Sequence, residues 1–409
     1  MLISGNLFCG YYDYSPLNIE NTYLLAHKVN QINRFPEIGE ECEIVLYNLE
    51  NEQIQIIDKT SAWNWQQGSR AQWLGPEFKD KIIYNKFING KLCSIIKNIT
   101  TKEENKINNP IFSVSKNGER AVSYDFSRLA QCRKSYSYAK FNEIPFEAGP
   151  GFGEGIVSID LKTGEYRETL NIEKLLKIKP LPSMKTGFHW VDSPFLSPSG
   201  NTIFFLHRWT INAGFYSRVY SMDFNGENLE LVLDSGTANH MTVINDEEII
   251  FDGVHEKSLN RFKKYSLLTK VYQYLFPIYQ KFVANREAFR QNLIKHYYYS
   301  ISKKEKKTRK EVSSLISIGH PSICPTDNNI FLADTYETPS KEGIFYRHLY
   351  VCDRSKDSYC EIYKIFSSKK YNGTSFRADL HPKWNIQGDK IILDIIENDE
   401  RKIVIKDFK

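Results

Sequence analysis

Three histidines head three successive copies of one repeated phrase. His240 opens HMTVINDEEIIFD, His320 opens HPSICPTDNNIFLAD and His381 opens HPKWNIQGDKIILD. The chain has only nine histidines, so three in matched slots of consecutive repeats is hard to attribute to random placement. If the repeats are arranged around an axis, their heads meet there. Imidazoles converging from three directions make a divalent-metal site that leaves positions open for substrate or water. The plainer alternative is that they start strands and hydrogen-bond carbonyls of the neighbouring repeat.

Other residues suit an acidic, hydroxyl-rich substrate. Arg128, Arg133, Arg208 and Arg377 stand in DFSRL, QCRKSY, LHRW and SFRADLH. A guanidinium grips a carboxylate through two parallel hydrogen bonds, although ion pairs between repeats would use the same side chains. Arg70 and Tyr11 head two further repeats and are expected to face the axis and touch substrate. Removal of a proton beside a carboxylate needs that carboxylate neutralised and a base nearby. A metal with Arg377 or Arg208 would do the first, and His189, His207 or Tyr336 the second. Trp63, Trp65, Tyr136, Tyr138, Trp190 and Tyr336 are candidates for stacking on sugar rings, with burial in a core as the alternative.

The elements that must position these residues follow from the repeat itself. Seven stretches share a short β-like run, a turn, and an apolar run closed by a polar residue; they begin at Tyr11, Arg70, Ile111, Ser193, His240, His320 and His381. Ser-Pro, Asn-Gly, Ser-Gly, Asp-Asn and Gln-Gly pairs supply the turns. Third and fourth strands follow in runs such as EIVLYNLENEQIQII and IVSIDLKTGEYRE. Four strands per unit and seven units predict an all-β, seven-bladed β-propeller spanning residues 1–409 as one domain. Two gaps, near 127–187 and 256–312, read as insertions on a propeller face, the second partly helical. The polar closers His27, Asn85, Asp125, His207, Asp252, Asp334 and Asp394 are expected to satisfy turn amides. Asp334 and Asp394 could also support the axial histidines.

Composition agrees with a globular β protein, since 14% of residues are aromatic. The opening MLISGNLFCGYYDYSP has no basic-then-apolar leader, and no run approaches the roughly 20 apolar residues of a membrane span. Seven cysteines in no metal-binding spacing read as reduced thiols, so the cytoplasm is the expected location. The net charge of +5 is uneven: residues 256–311 alone carry +11. That segment mixes Lys with Tyr and Phe in FKKYSLLTKVYQYLFPIYQKFV and ends in KKEKKTRK. It suits either a solvated helical flap or peripheral contact with the inner face of an anionic membrane. No nucleic-acid reader accompanies the charge, so nucleic acid is not an expected partner.

The units His320-Pro-Ser-Ile-Cys-Pro, Phe195-Leu-Ser-Pro-Ser-Gly and His381-Pro-Lys-Trp resemble the TolB-type propeller repeat. Within that group the chain is similar to the oligogalacturonate lyases, cytoplasmic seven-bladed propellers that cleave short uronic-acid chains. The resemblance implies a manganese-type ion held by His residues and a Gln. Here the histidines are spread over three repeats, and Gln67 or Gln72 of WNWQQGSRAQW would supply the Gln. A metal-dependent lyase acting on an acidic oligosaccharide or polysaccharide by β-elimination is therefore expected. The alternative is a non-catalytic glycan-binding or assembly propeller at the membrane in surface-polysaccharide synthesis, favoured by the basic insert. A hydrolase is weaker, because there is no G-x-S-x-G elbow and no evident carboxylate pair.

Overall fold

A computed structural model describes residues 1–143, 149–150, 153–211, 214–234, 236–254, 296–305, 310–340 and 342–408. Its strands form seven antiparallel sheets, each starting with an innermost strand that is short except for His189–Leu196. These are the blades of a seven-bladed β-propeller: blade 1 (7–60), blade 2 (72–107), blade 3 (113–171), blade 4 (189–233), blade 5 (241–313), blade 6 (321–366) and blade 7 (383–407). Blade 7 takes its outermost strand, Leu2–Ile3, from the other end of the chain, with Leu2 opposite Val404 and Ile3 opposite Ile403. That pairing closes the ring without a covalent link.

Period-two alternation explains how the blades stack. Along Tyr23–Lys28 of blade 1, Leu24 and Ala26 pack with Ile392, Ile403 and Ile405 of blade 7. Leu25, one position out of phase, packs with Ile82, Tyr84 and Ile95 of blade 2. Each fully buried Leu or Ile contributes roughly 1.5–3 kcal/mol, so this strand bonds its blade to both neighbours. Turn chemistry is as local as the Asn-Gly pair suggests. Gly118 has φ +71°, and a Cβ there would lie 2.0 Å from the Gly75 carbonyl oxygen, so this turn requires glycine.

The polar closers stitch one blade to the next, as short acceptors at strand ends should. Asn85 accepts the Ile111 amide at 2.8 Å and donates to the Ile111 carbonyl at 2.8 Å. His27 Nε2 accepts the Ser69 amide at 3.0 Å. Asp394 accepts the amides of Cys9 and Gly10 at 2.7 and 3.2 Å. Asp125 instead caps the helix Phe126–Cys132.

Three details differ from the sequence reading. In blade 1 the paired innermost strand is Leu7–Phe8, and the stretch from Tyr11 to Pro16 is not strand. Ser193 does not start a strand; it lies within His189–Leu196, at a register shift between Asp192 and Phe195. Parts of both insertions belong to blades. Glu154–Asp160 and Tyr166–Asn171 are the outer strands of blade 3, and His296–Ser302 and Lys310–Ser313 those of blade 5. The real excursions after blade 3's second strand are helix Phe126–Cys132 with two 3-10 turns, and, before blade 4, helix Ile172–Leu176. Residues 255–295, which carry the aromatic and basic run and its expected membrane contact, lie outside the described residues. No helix among the described residues is long and apolar enough to cross a membrane.

Candidate active site

The heads of the repeats are held by the same backbone device. Asp252 accepts the His240 amide at 2.6 Å, Asp334 the His320 amide at 2.5 Å, and Asp334 also the His381 amide at 3.2 Å. Ring centroids of His240 and His320 are 4.2 Å apart, and those of His320 and His381 4.4 Å. The three rings therefore form one buried cluster at the channel end.

Their nitrogens separate them. His320 places Nδ1 3.1 Å from both Asp334 oxygens, which fixes the proton on Nδ1 and leaves Nε2 buried with no protein partner. His381 Nε2 is likewise buried and unpartnered. The Asp379 carboxylate joins them, and one ligand atom from each of the three lies within 4.8 Å of the others. His240 is engaged on both sides instead: Nδ1 is 3.2 Å from Asp252 and Nε2 is 3.3 Å from the Tyr336 hydroxyl. The structure thus groups His320, His381 and Asp379, with His240 beside them on a Tyr336–His240–Asp252 chain. Burial first, and then neighbouring His320, pushes the pKa of His240 and of His381 down, so both are neutral imidazoles.

The residues present fit a divalent ion. Two unpartnered imidazole lone pairs and a carboxylate are a donor set that manganese, iron or zinc accepts. Asp334 and Asp252 each sit behind an imidazole, on Nδ1 of His320 and of His240. Asp379 is bound by Arg347 at 2.5 Å and by Arg377 at 2.9 and 2.8 Å. Burial alone would raise its pKa, but those guanidiniums hold it well below the ordinary carboxylate range.

A few residues away the surplus reverses. Arg133 and Arg208 share a single carboxylate, Asp192, at 2.8 and 2.6 Å. Burial opposes ionisation of Asp192, but the two arginines lower its pKa to about 2. Arg133 also lies 4.0 Å over the Tyr136 ring, and Arg377 5.3 Å over the Tyr336 ring. Tyr136 and Arg133 come from the excursion after helix Phe126–Cys132, so that insertion supplies part of the mouth.

Other sequence candidates are engaged elsewhere, except Tyr11, which packs against this cluster. Arg70 is fully buried, binds Asp13 through both terminal nitrogens at 3.0 and 2.6 Å, and donates to the Phe112 carbonyl at 2.7 Å. Arg128 donates to the carbonyls of His189 and Pro150, tying the insertion to blade 4. His189 and His207 bond each other at 2.8 Å, and His189 Nε2 donates to the Met184 carbonyl at 2.8 Å. Tyr11 packs between His381 and Phe195, at 5.2 and 6.4 Å between centroids. With Tyr12, Phe112 and Phe195 it forms an aromatic layer beneath the histidines. Trp63, Trp65, Trp190 and Tyr138 are core residues. Gln72 lines the opposite mouth, whereas Gln66, which the sequence reading passed over, reaches the Arg377 carbonyl at 3.4 Å. Asp379 was missed too. Its signal was the spacing Arg377-x-Asp379-x-His381, since alternate residues of an extended segment share one face.

Comparison of the coordinates with solved structures gives matches along the whole chain. An oligogalacturonate lyase in complex with manganese superposes with TM-score 0.64 at 12% identity, covering 99% of this chain and 90% of that one. The fold is that of the oligogalacturonate lyases. A second such lyase, from Vibrio parahaemolyticus, gives TM-score 0.61 at 11% identity, with 98% and 90% covered. The propeller domain of the trilobed protease from Pyrococcus furiosus gives 0.52 at 12%, with 98% and 96% covered. At such identities the likeness is one of fold. No family profile and no curated protein matches the sequence.

Proposed function

We propose that this propeller is a divalent-metal-dependent lyase that cleaves uronate-containing acidic oligosaccharides or polysaccharides by β-elimination. The observation that carries the reading is one buried mouth with two opposite ends. The Nε2 atoms of His320 and His381 lie bare beside Asp379, and the Arg133–Arg208 pair has only one carboxylate between them.

In β-elimination a base takes the proton from the carbon beside the carboxylate. That electron pair becomes a carbon–carbon double bond as the glycosidic carbon–oxygen bond breaks, and the departing oxygen gains a proton. Arg133 and Arg208 bind and orient the uronate carboxylate, with Asp192 keeping their guanidiniums in place. His240, neutral and with Nδ1–H turned to Asp252, takes the substrate proton on Nε2. Burial raises the Tyr336 pKa well above normal, so its hydroxyl is protonated and gives its proton to the departing oxygen, and the His240 imidazolium then returns a proton to Tyr336. A divalent ion held by His320, His381 and Asp379 would neutralise the carboxylate beside the carbon that loses its proton. The sequence candidates His189 and His207 have no place in this scheme, because their nitrogens face each other and the core.

The test is to incubate manganese-loaded protein with oligouronates and follow near-ultraviolet absorbance. An unsaturated uronate that appears with metal and not with chelator supports the reading. New reducing ends without the chromophore would mean hydrolysis, and binding without turnover would favour an assembly role.

A further inference from the structure

The channel has a second mouth. Beyond the aromatic layer, the far ends of the innermost segments of all seven blades enclose about 290 Å³. This is near the small end of the range for small-molecule sites, which are typically apolar with a few polar groups. Its walls include Trp73, Phe78, Phe195 and Trp384, and Tyr12 contributes as well.

Polar capacity there is mostly spent on the fold. Ser113 accepts the Leu196 amide, Ser115 the Arg120 amide and Ser197 the Thr202 amide. The indoles of Trp73 and Trp384 donate to the carbonyls of Pro16 and Ser322. Two lining residues carry charge, and Asp13 is already bound by Arg70 through both oxygens. Lys116 is the other, and it makes no ion pair among the described residues. Engaged hydroxyls leave little to hold a neutral sugar, whereas aromatic walls and one unpaired ammonium suit a flat anion.

We infer that this mouth is a second binding site, separate from the histidine cluster, for a small flat ligand carrying one negative charge, an aromatic or conjugated carboxylate. Lys116 takes the carboxylate and the aromatic walls take the flat face. The site also touches the other end of the channel, because the Tyr12 ring lies 5.0 Å from His320.

The test titrates the full-length protein with 2-naphthoate, by its fluorescence and by calorimetry, beside uncharged 2-naphthol. Saturable binding of one naphthoate per chain is expected, with naphthol weaker by about tenfold or more. Lys116→Met should lower naphthoate affinity about tenfold and leave naphthol unchanged, while Lys116→Arg keeps it. Thr242→Trp, which fills the cavity, should abolish binding of both at an unaltered melting temperature. The inference is overturned by unsaturable binding, by equal affinity for the two probes, by an unaffected Lys116→Met protein, or by displacement with oligouronate. The last outcome would place the probe among the arginines instead.

Discussion

Two pairs of buried histidines lie in this propeller, and they are wired oppositely. In blade 4, His189 gives its Nε2 proton to the Met184 carbonyl, so its Nδ1 lone pair accepts from His207. That pair packs on Trp209, and its one bare nitrogen, His207 Nδ1, has no carboxylate and second bare imidazole grouped with it among the described residues. Between blades 6 and 7, Asp334 occupies Nδ1 of His320, and the Nε2 atoms of His320 and His381 are left bare beside Asp379. Proximity of imidazoles therefore does not make a metal site. What does is an acid behind one ring that turns its other nitrogen outward.

The comparison breaks first at the ligands. His381→Ala should weaken manganese binding by more than about 100-fold, beyond what loss of a supporting residue costs, and abolish elimination while the fold persists. Asp334→Asn keeps the ring and loosens its orientation, so affinity should fall about 10–100-fold; calorimetric titration of both variants checks this. His207→Ala should do the reverse. It leaves His189 Nδ1 unpaired beside a void and should cost about 2–4 kcal/mol in denaturant unfolding with metal affinity intact.

A further effect is acid sensitivity. Burial lowers His27 and His189 from an ordinary value near 6.5 to about 4 in the fold. Above 6.5 both are neutral in folded and unfolded chains. Between 6.5 and 4 only the unfolded chain takes up the protons, so stability is full above 6.5 and falls as pH drops to 4. Each contributes on the order of 3 kcal/mol across that window. Melting curves should show the loss, and His189→Asn should remove part of it.

The repeat was legible because propeller hairpins announce themselves locally, through turn pairs and period-two runs closed by a polar residue. Rotational symmetry then brought His240, His320 and His381 together without any distance being known. The division among them was not legible, because it depends on which nitrogen each neighbouring acid occupies. Asp379 stood outside the aligned phrase, two residues ahead of His381. Arg133 and Tyr136 came from an excursion whose path no periodicity fixes, whereas Arg70 and Arg128 read as substrate-facing until Asp13 and two carbonyls were seen to hold them. The strands His296–Ser302 and Lys310–Ser313 were hidden because they flank the Lys-rich run KKEKKTRK and read as part of the basic insertion.

The most direct measurement is calorimetric titration of chelator-stripped protein with manganese, run in parallel on the His189→Asn and Asp379→Asn variants. The wiring described predicts one ion per chain for the parent and for His189→Asn, and none for Asp379→Asn. A parent protein that takes up no ion, or an Asp379→Asn protein that binds as tightly as the parent, would contradict it.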